Sequence, residues 1–103
     1  MTDISIVLKA LSNSRRFQIV EWLRDPENYF PSQVDGDLVE DGVCIGFLTQ
    51  KLGISQPSVT AHMQHLENSG LVTSRQIKNW VFYKLQEASL EEFMTILSSK
   101  LQP

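Results

Sequence analysis

A single cysteine stands among 103 residues, so no disulfide can staple this chain to itself. No apolar run approaches the roughly 20 residues that cross a bilayer as a helix, and the opening Met1-Thr2-Asp3-Ile4-Ser5 lacks the basic flank of a secretory leader. These absences set the expectation of a cytoplasmic protein without a membrane partner. Positive charge is scarce as well. Nine Lys and Arg face twelve Asp and Glu, a net charge of −3, which argues against bulk electrostatic attraction to nucleic acid. No His-Glu-x-x-His and no nucleophile paired with a base occur, so enzyme chemistry has neither a ligand set nor an activated group, and no cofactor or metal is expected. What is present is an ordinary globular composition, 42% hydrophobic and 20% charged, at a length that permits one domain with a limited core.

The stretch from Gly53 to Gly70 organises the rest. Ser55 is a good N-cap, Pro57 falls in the first turn where its missing N–H costs nothing, and Gly70 suits the left-handed end of a helix. In the helix so defined, Val59, Met63 and Leu66 form one narrow apolar stripe, while Ser58, Ala61, His62, His65 and Asn68 face away. That outer face is short, polar and almost uncharged. Hydroxyls, amides and imidazoles suit the donors and acceptors of base edges, which makes this a candidate DNA-reading helix; a surface helix of unusual composition is the plain alternative. Upstream, Phe47 to Leu52 has helical spacing and stops at Gly53, so two helices meet across about three residues, as in a helix-turn-helix. Downstream, Leu71 to Ile77 and Trp80 to Leu85 are rich in β-branched and aromatic residues and are joined by Lys78-Asn79, where Asn tolerates positive φ. This hairpin reads as a wing. Alternation puts Trp80, Phe82 and Lys84 on one face and Val81, Tyr83 and Leu85 on the other, with Trp80 and Tyr83 expected in the core. Arg75 and Lys78 at its tip can follow a DNA backbone or reach a minor groove.

Four sets of residues carry a resemblance to a known family: Ala10-Leu11-Ser12-Asn13-Ser14-Arg15-Arg16; Leu52-Gly53-Ile54-Ser55-Gln56-Pro57-Ser58-Val59-Thr60-Ala61-His62; Leu66-Glu67-Asn68-Ser69-Gly70-Leu71-Val72; and Trp80 to Leu85. Together they resemble the ArsR family of winged helix-turn-helix repressors over most of the chain. The resemblance implies a mainly α fold of about five helices with a small β-hairpin wing, and a homodimer on a palindromic operator, released by a chemical signal. It places Gln56, Ser58, Thr60 and His62 at the major groove, with His65 on the same outward side. The domain expected is a single winged helix-turn-helix, with dimerisation helices at about 3–11 and 89–101, the helix-turn-helix at about 44–69 and the wing at about 71–85. A winged-helix module that binds protein and no DNA is the alternative.

The flanking segments fit this plan. Ile4, Val7, Leu8 and Leu11 recur at i, i+3, i+4 and i+7, a helix too short to hold in water unless it packs on something. Asn13 is the expected cap of a second helix, apolar over a wide face through Phe17, Ile19, Val20, Trp22 and Leu23. Arg15 and Arg16 in its first turn read as solvated. Near the end, Ser89-Leu90-Glu91-Glu92 has the form of a capping box, and Leu90, Phe93, Met94, Leu97 and Leu101 repeat along one stripe. The expected dimer interface is therefore Ile4, Val7, Leu8 and Leu11 with Leu90, Phe93, Met94 and Leu97.

Between lies a loop, 26–43, interrupted by Pro31, Gly36 and Gly42, carrying Glu27, Asp35, Asp37, Glu40 and Asp41 and no basic residue. An EF-hand does not fit, because Val39, Glu40 and Gly46 fall where a ligand, the glycine and the closing Glu are required. Residues 48–85 are +3 and residues 1–47 are −4, so the acidic loop is expected to point away from DNA. Cys44 is the candidate sensor. The metal-responsive branch of the family carries a Cys-x-Cys here, but Gly46 takes the second position, so that motif is broken; a small buried hydrophobe is the plainer reading.

Overall fold

The computed structural model describes residues 3–103; Met1 and Thr2, from the opening segment noted above, lie outside the described residues. In chain order the elements are α1 (Ile4–Leu11), α2 (Ser14–Arg24), α3 (Pro26–Tyr29), β1 (Val43–Cys44), α4 (Ile45–Leu52), α5 (Gln56–Asn68), β2 (Val72–Ile77), β3 (Trp80–Leu85) and α6 (Glu87–Leu101). None of these helices is long and apolar enough to cross a membrane.

Local chemistry sets most boundaries. Asp3 caps α1 by accepting the Ser5 N–H at 3.0 Å, and Asn13 caps α2 by accepting from the N–H groups of Arg15 and Arg16 at 3.0 and 3.2 Å. Gly53 ends α4 at φ 68°, and Ser55 then caps α5 two residues later, so a three-residue turn separates the two helices. α6 departs from expectation. It begins at Glu87 after Gln86, which gives no side-chain cap, and Ser89 lies inside the helix. The reason is tertiary: the Gln86 N–H donates to Leu71 O at 2.7 Å, which turns the chain at the end of β3 before the capping box is reached.

The strands make one antiparallel sheet of order β1-β3-β2, with Val43 opposite Tyr83 and Val72 opposite Leu85. The wing is thus larger than a hairpin, and the segment 26–43 holds a one-turn helix and an edge strand where an unbroken loop was expected. Both faces of β3 are covered. Tyr83 and Leu85 are buried, and so is Phe82, because the acidic loop folds back over it: at Gly36 (φ 78°) a Cβ would meet the Phe82 ring at 2.8 Å. Gly42 (φ 103°) has even less room, since a Cβ there would run into the Tyr83 carbonyl oxygen. Trp80, beyond this cover, is 50% exposed and not the core residue expected. In the hairpin turn the positive φ belongs to Lys78 (55°) and not to Asn79.

The core lies where α1, α2, α4 and α5 meet the sheet, with Val7, Ile19, Val43, Leu48, Val59, Met63, Leu66 and Leu71 fully buried. Each such side chain contributes about 1.5–3 kcal/mol by leaving water, so the stripe on α5 is what holds that helix in place. Two interface expectations fail here. Val7 at 0% and Phe93 at 5% exposure belong to the protomer's own core, because α1 packs against α2, α5 and α6 within the chain. Phe17 fails the other way: it is 53% exposed, as the wide face of α2 sends Ile19, Val20, Trp22 and Leu23 inward and Phe17 to the surface.

Candidate nucleic-acid interface

With Val59, Met63 and Leu66 turned inward, α5 presents Gln56, Ser58, Ala61, His65 and Asn68 to solvent, with Thr60 and His62 half-buried beside them. The outward face read from periodicity is therefore formed. The Ser58 hydroxyl is engaged with the Ser55 hydroxyl at 2.9 Å, which ties it to the cap.

His62 is held by a contact that sequence reasoning missed. The Arg16 guanidinium places Nη1 3.2 Å from His62 Nδ1, while its Nε donates to Ala10 O at 2.7 Å and Nη2 to Lys9 O at 3.5 Å. Arg16 is thus half-buried and bonded, not solvated. A guanidinium can only donate, so Nδ1 must accept, and the imidazole proton resides on Nε2. Burial, then the charges of Arg16 and Arg15, and then His65 push the His62 pKa below its usual 6.5. At neutral pH the residue is an uncharged ring with one N–H donor. No local signal could have shown this pair, since its members are 46 positions apart.

The wing differs from expectation in its electrostatics. Arg75 Nη1 lies 2.7 Å from Asp41 Oδ1, Lys78 Nζ lies 2.8 Å from Asp35 Oδ1, and Lys84 Nζ donates to Glu40 O at 3.2 Å. The acidic loop, expected to point away from DNA, lies along the wing, drawn there by β1 pairing and by the need to cover Phe82. The loop is itself ordered: Asp37 accepts the N–H groups of Glu40 and Val39, both at 2.9 Å, which lowers its carboxyl pKa. Lys51, the fourth cation of this segment, sits over the rings of Trp22, Phe30 and Tyr29 at 5.3, 5.5 and 5.8 Å. The +3 charge of residues 48–85 is thus largely answered within the chain.

Cys44 forms part of β1 and stands at the N-cap position of α4, half-buried, with its N–H donating to Gln33 Oε1 at 2.7 Å. Among the described residues no three His, Cys, Asp or Glu side chains gather as metal ligands.

No family profile matches this chain. Individual relatives do. It is 30% identical over 95 residues to an uncharacterized HTH-type transcriptional regulator, YbzH of Bacillus subtilis, an alignment covering 92% of this chain and 95% of that one. It is 29% identical over 96 residues to the arsenical resistance operon repressor of Staphylococcus aureus, covering 93% and 78%. Among solved structures, HlyU from Vibrio cholerae superposes with a TM-score of 0.61 at 27% identity, over 94% of this chain and 89% of that one. A homodimeric winged helix-turn-helix DNA-binding domain from Mycobacterium bovis shares the fold, with a TM-score of 0.65 at 22% identity over 94% and 77%. A helix-turn-helix with a three-residue turn, a wing after its second helix and relatives matched nearly end to end make this chain a member of the ArsR family of winged helix-turn-helix transcriptional regulators, which are not enzymes.

Proposed function

We propose that the chain is a sequence-specific DNA-binding repressor that acts as a homodimer on a palindromic operator. The observation that carries this reading is the division of α5: three fully buried apolar residues on one side, and on the other Gln56, Ser58 and His65 exposed with Thr60 and His62 half-buried beside them. In this reading α5 enters the major groove. Gln56 and the His62 Nε2–H meet base edges, Ser58, Thr60 and His65 meet bases or phosphates, and Arg75 and Lys78 follow the backbone from the wing.

Dimerisation is supported by apolar side chains left on α1, α2 and α6. Leu8 is 46%, Met94 58% and Leu101 74% exposed, with Ile4, Leu11, Leu90 and Leu97 partly buried beside them. To the residues expected from periodicity this adds Ile6 and Phe17, and it removes Val7 and Phe93. A two-fold pair would set the two recognition helices about one DNA turn, roughly 34 Å, apart. The S. aureus relative is named a repressor, which supports the sign of regulation.

The test is competition binding with a selected duplex and its scramble, read by fluorescence anisotropy. Gln56→Ala is expected to cost about 1–3 kcal/mol on the selected site and little on the scramble. Equal losses on both would remove its base-reading role. A chain without DNA affinity at any salt concentration would instead be a protein-interaction module on a winged fold.

A further inference from the structure

A cleft of about 540 Å³ opens between the acidic loop, α4 and the wing. It is lined by Ser32 to Asp35 from the loop, by Trp80 and Phe82 from β3, and by Cys44, Gly46 and Phe47 from α4 and its start. Its size falls within the range of small-molecule sites, and three aromatic rings with a few polar groups are the lining such sites have. Gly46 is the informative residue. Glycine is a poor helix former, yet this one lies in the first turn of α4 without a positive φ, and an added Cβ would meet only Cys44 Sγ at 3.8 Å. Packing therefore does not demand glycine; its effect is to keep the cleft open. Trp80, half-exposed, lines the same space.

The lining also fixes the class of occupant. Among the described residues around the cleft only Asp35 is charged, and its carboxylate is already paired with Lys78. An anion would find no unpaired cation in the lining, and a cation would have to displace Lys78. A neutral, flat, mostly apolar molecule lies between the rings at neither cost. It would also touch the loop and the wing together, and this loop is the one that holds Lys78 through Asp35 and Arg75 through Asp41.

We propose that this cleft is an effector site for a neutral planar aromatic small molecule, whose binding clamps the acidic loop onto the wing and withholds Lys78 and Arg75 from phosphate. The second half of this inference rests on the DNA-binding reading; the first half does not.

The probe is N-phenyl-1-naphthylamine, added to the full chain without DNA. Wild type should show a saturable rise in probe emission. Gly46→Leu, which fills the cleft from an open position, should weaken binding at least about tenfold, and Trp80→Ala should weaken it too. Trp80→Ala alters an exposed wing residue, so it decides the matter if Gly46→Leu fails to fold. Phe17→Ser, on the apolar surface of α2 away from the cleft lining, should leave binding unchanged. Loss in Phe17→Ser with retention in Trp80→Ala would place the probe on the α1/α2/α6 surface and overturn the site. In a second arm, saturating probe should lower wild-type DNA affinity several-fold and leave Gly46→Leu unaffected. Probe binding with unchanged or increased DNA affinity would overturn the clamp. A chain that binds probe but no DNA would overturn the DNA reading and leave the ligand site standing.

Discussion

At His62 a single interaction decides what the recognition helix can offer. Because Arg16 only donates, the ring is fixed as the Nε2–H tautomer and points a donor, not an acceptor, at whatever it meets. Such a donor matches the acceptors of guanine or thymine in a major groove. The lowered pKa also has a consequence for stability. Between the folded pKa and the ordinary 6.5 the unfolded chain binds more protons, so stability is present above about 6.5 and declines as pH falls through that window. Nitrogen-15 NMR of the imidazole should report the Nε2–H form at pH 7 and a midpoint below 6.5. Arg16→Gln should move that midpoint back upward and flatten the acid side of the stability profile, since it removes a neighbouring charge while burial remains. Gly42 offers a second test at this scale. Its φ of 103° and the Tyr83 carbonyl beside it leave no place for a side chain, so Gly42→Ala should cost about 2 kcal/mol or more in a denaturant titration.

The acidic loop and the wing form one electrostatic unit. Exposed ion pairs of this kind contribute about 0–1 kcal/mol to stability, so Asp35–Lys78 and Arg75–Asp41 are weak as structural ties. Their larger effect is on availability: a lysine already paired at 2.8 Å releases less on meeting a phosphate than a solvated one. Asp35→Asn should therefore leave thermal stability nearly unchanged and tighten binding to selected and scrambled duplexes alike. It should also steepen the slope of log K against log salt by up to about 0.9, as one more cation becomes free to displace a counterion. An unchanged salt slope would mean that Lys78 never approaches the duplex. By the same reasoning, Lys78→Ala should weaken all DNA sequences by a similar factor, and by less than an unpaired wing lysine would.

For the whole molecule, the apolar surface of α1, α2 and α6 is what a second copy would cover. A stable homodimer buries about 600–1,000 Å² on each partner, and Phe17, Met94 and Leu101, all more than half exposed, are the side chains that gain most from being covered. Met94→Glu should shift the chain to monomer in sedimentation velocity and weaken binding to a two-half-site duplex far more than to a single half-site. Val7→Ala and Phe93→Ala should act differently, lowering thermal stability through cavities of about 2–5 kcal/mol, because these two residues fill the protomer's own core.

The sequence by itself determined the local grammar of this protein. Ser55, Asn13 and Gly53 carry their caps and stops in their own side chains or in the lack of one, and the period of Val59, Met63 and Leu66 decides which side of α5 is left outside. Interactions of that kind reach three or four residues along the chain, and a linear reading finds them. Only the tertiary structure decided the rest: Arg16 on His62, Asp35 and Asp41 on the wing cations, Phe82 beneath the loop, and Val7 turned inward. Those contacts join residues 34 to 46 positions apart, or depend on which neighbour covers a face, and no periodicity encodes either.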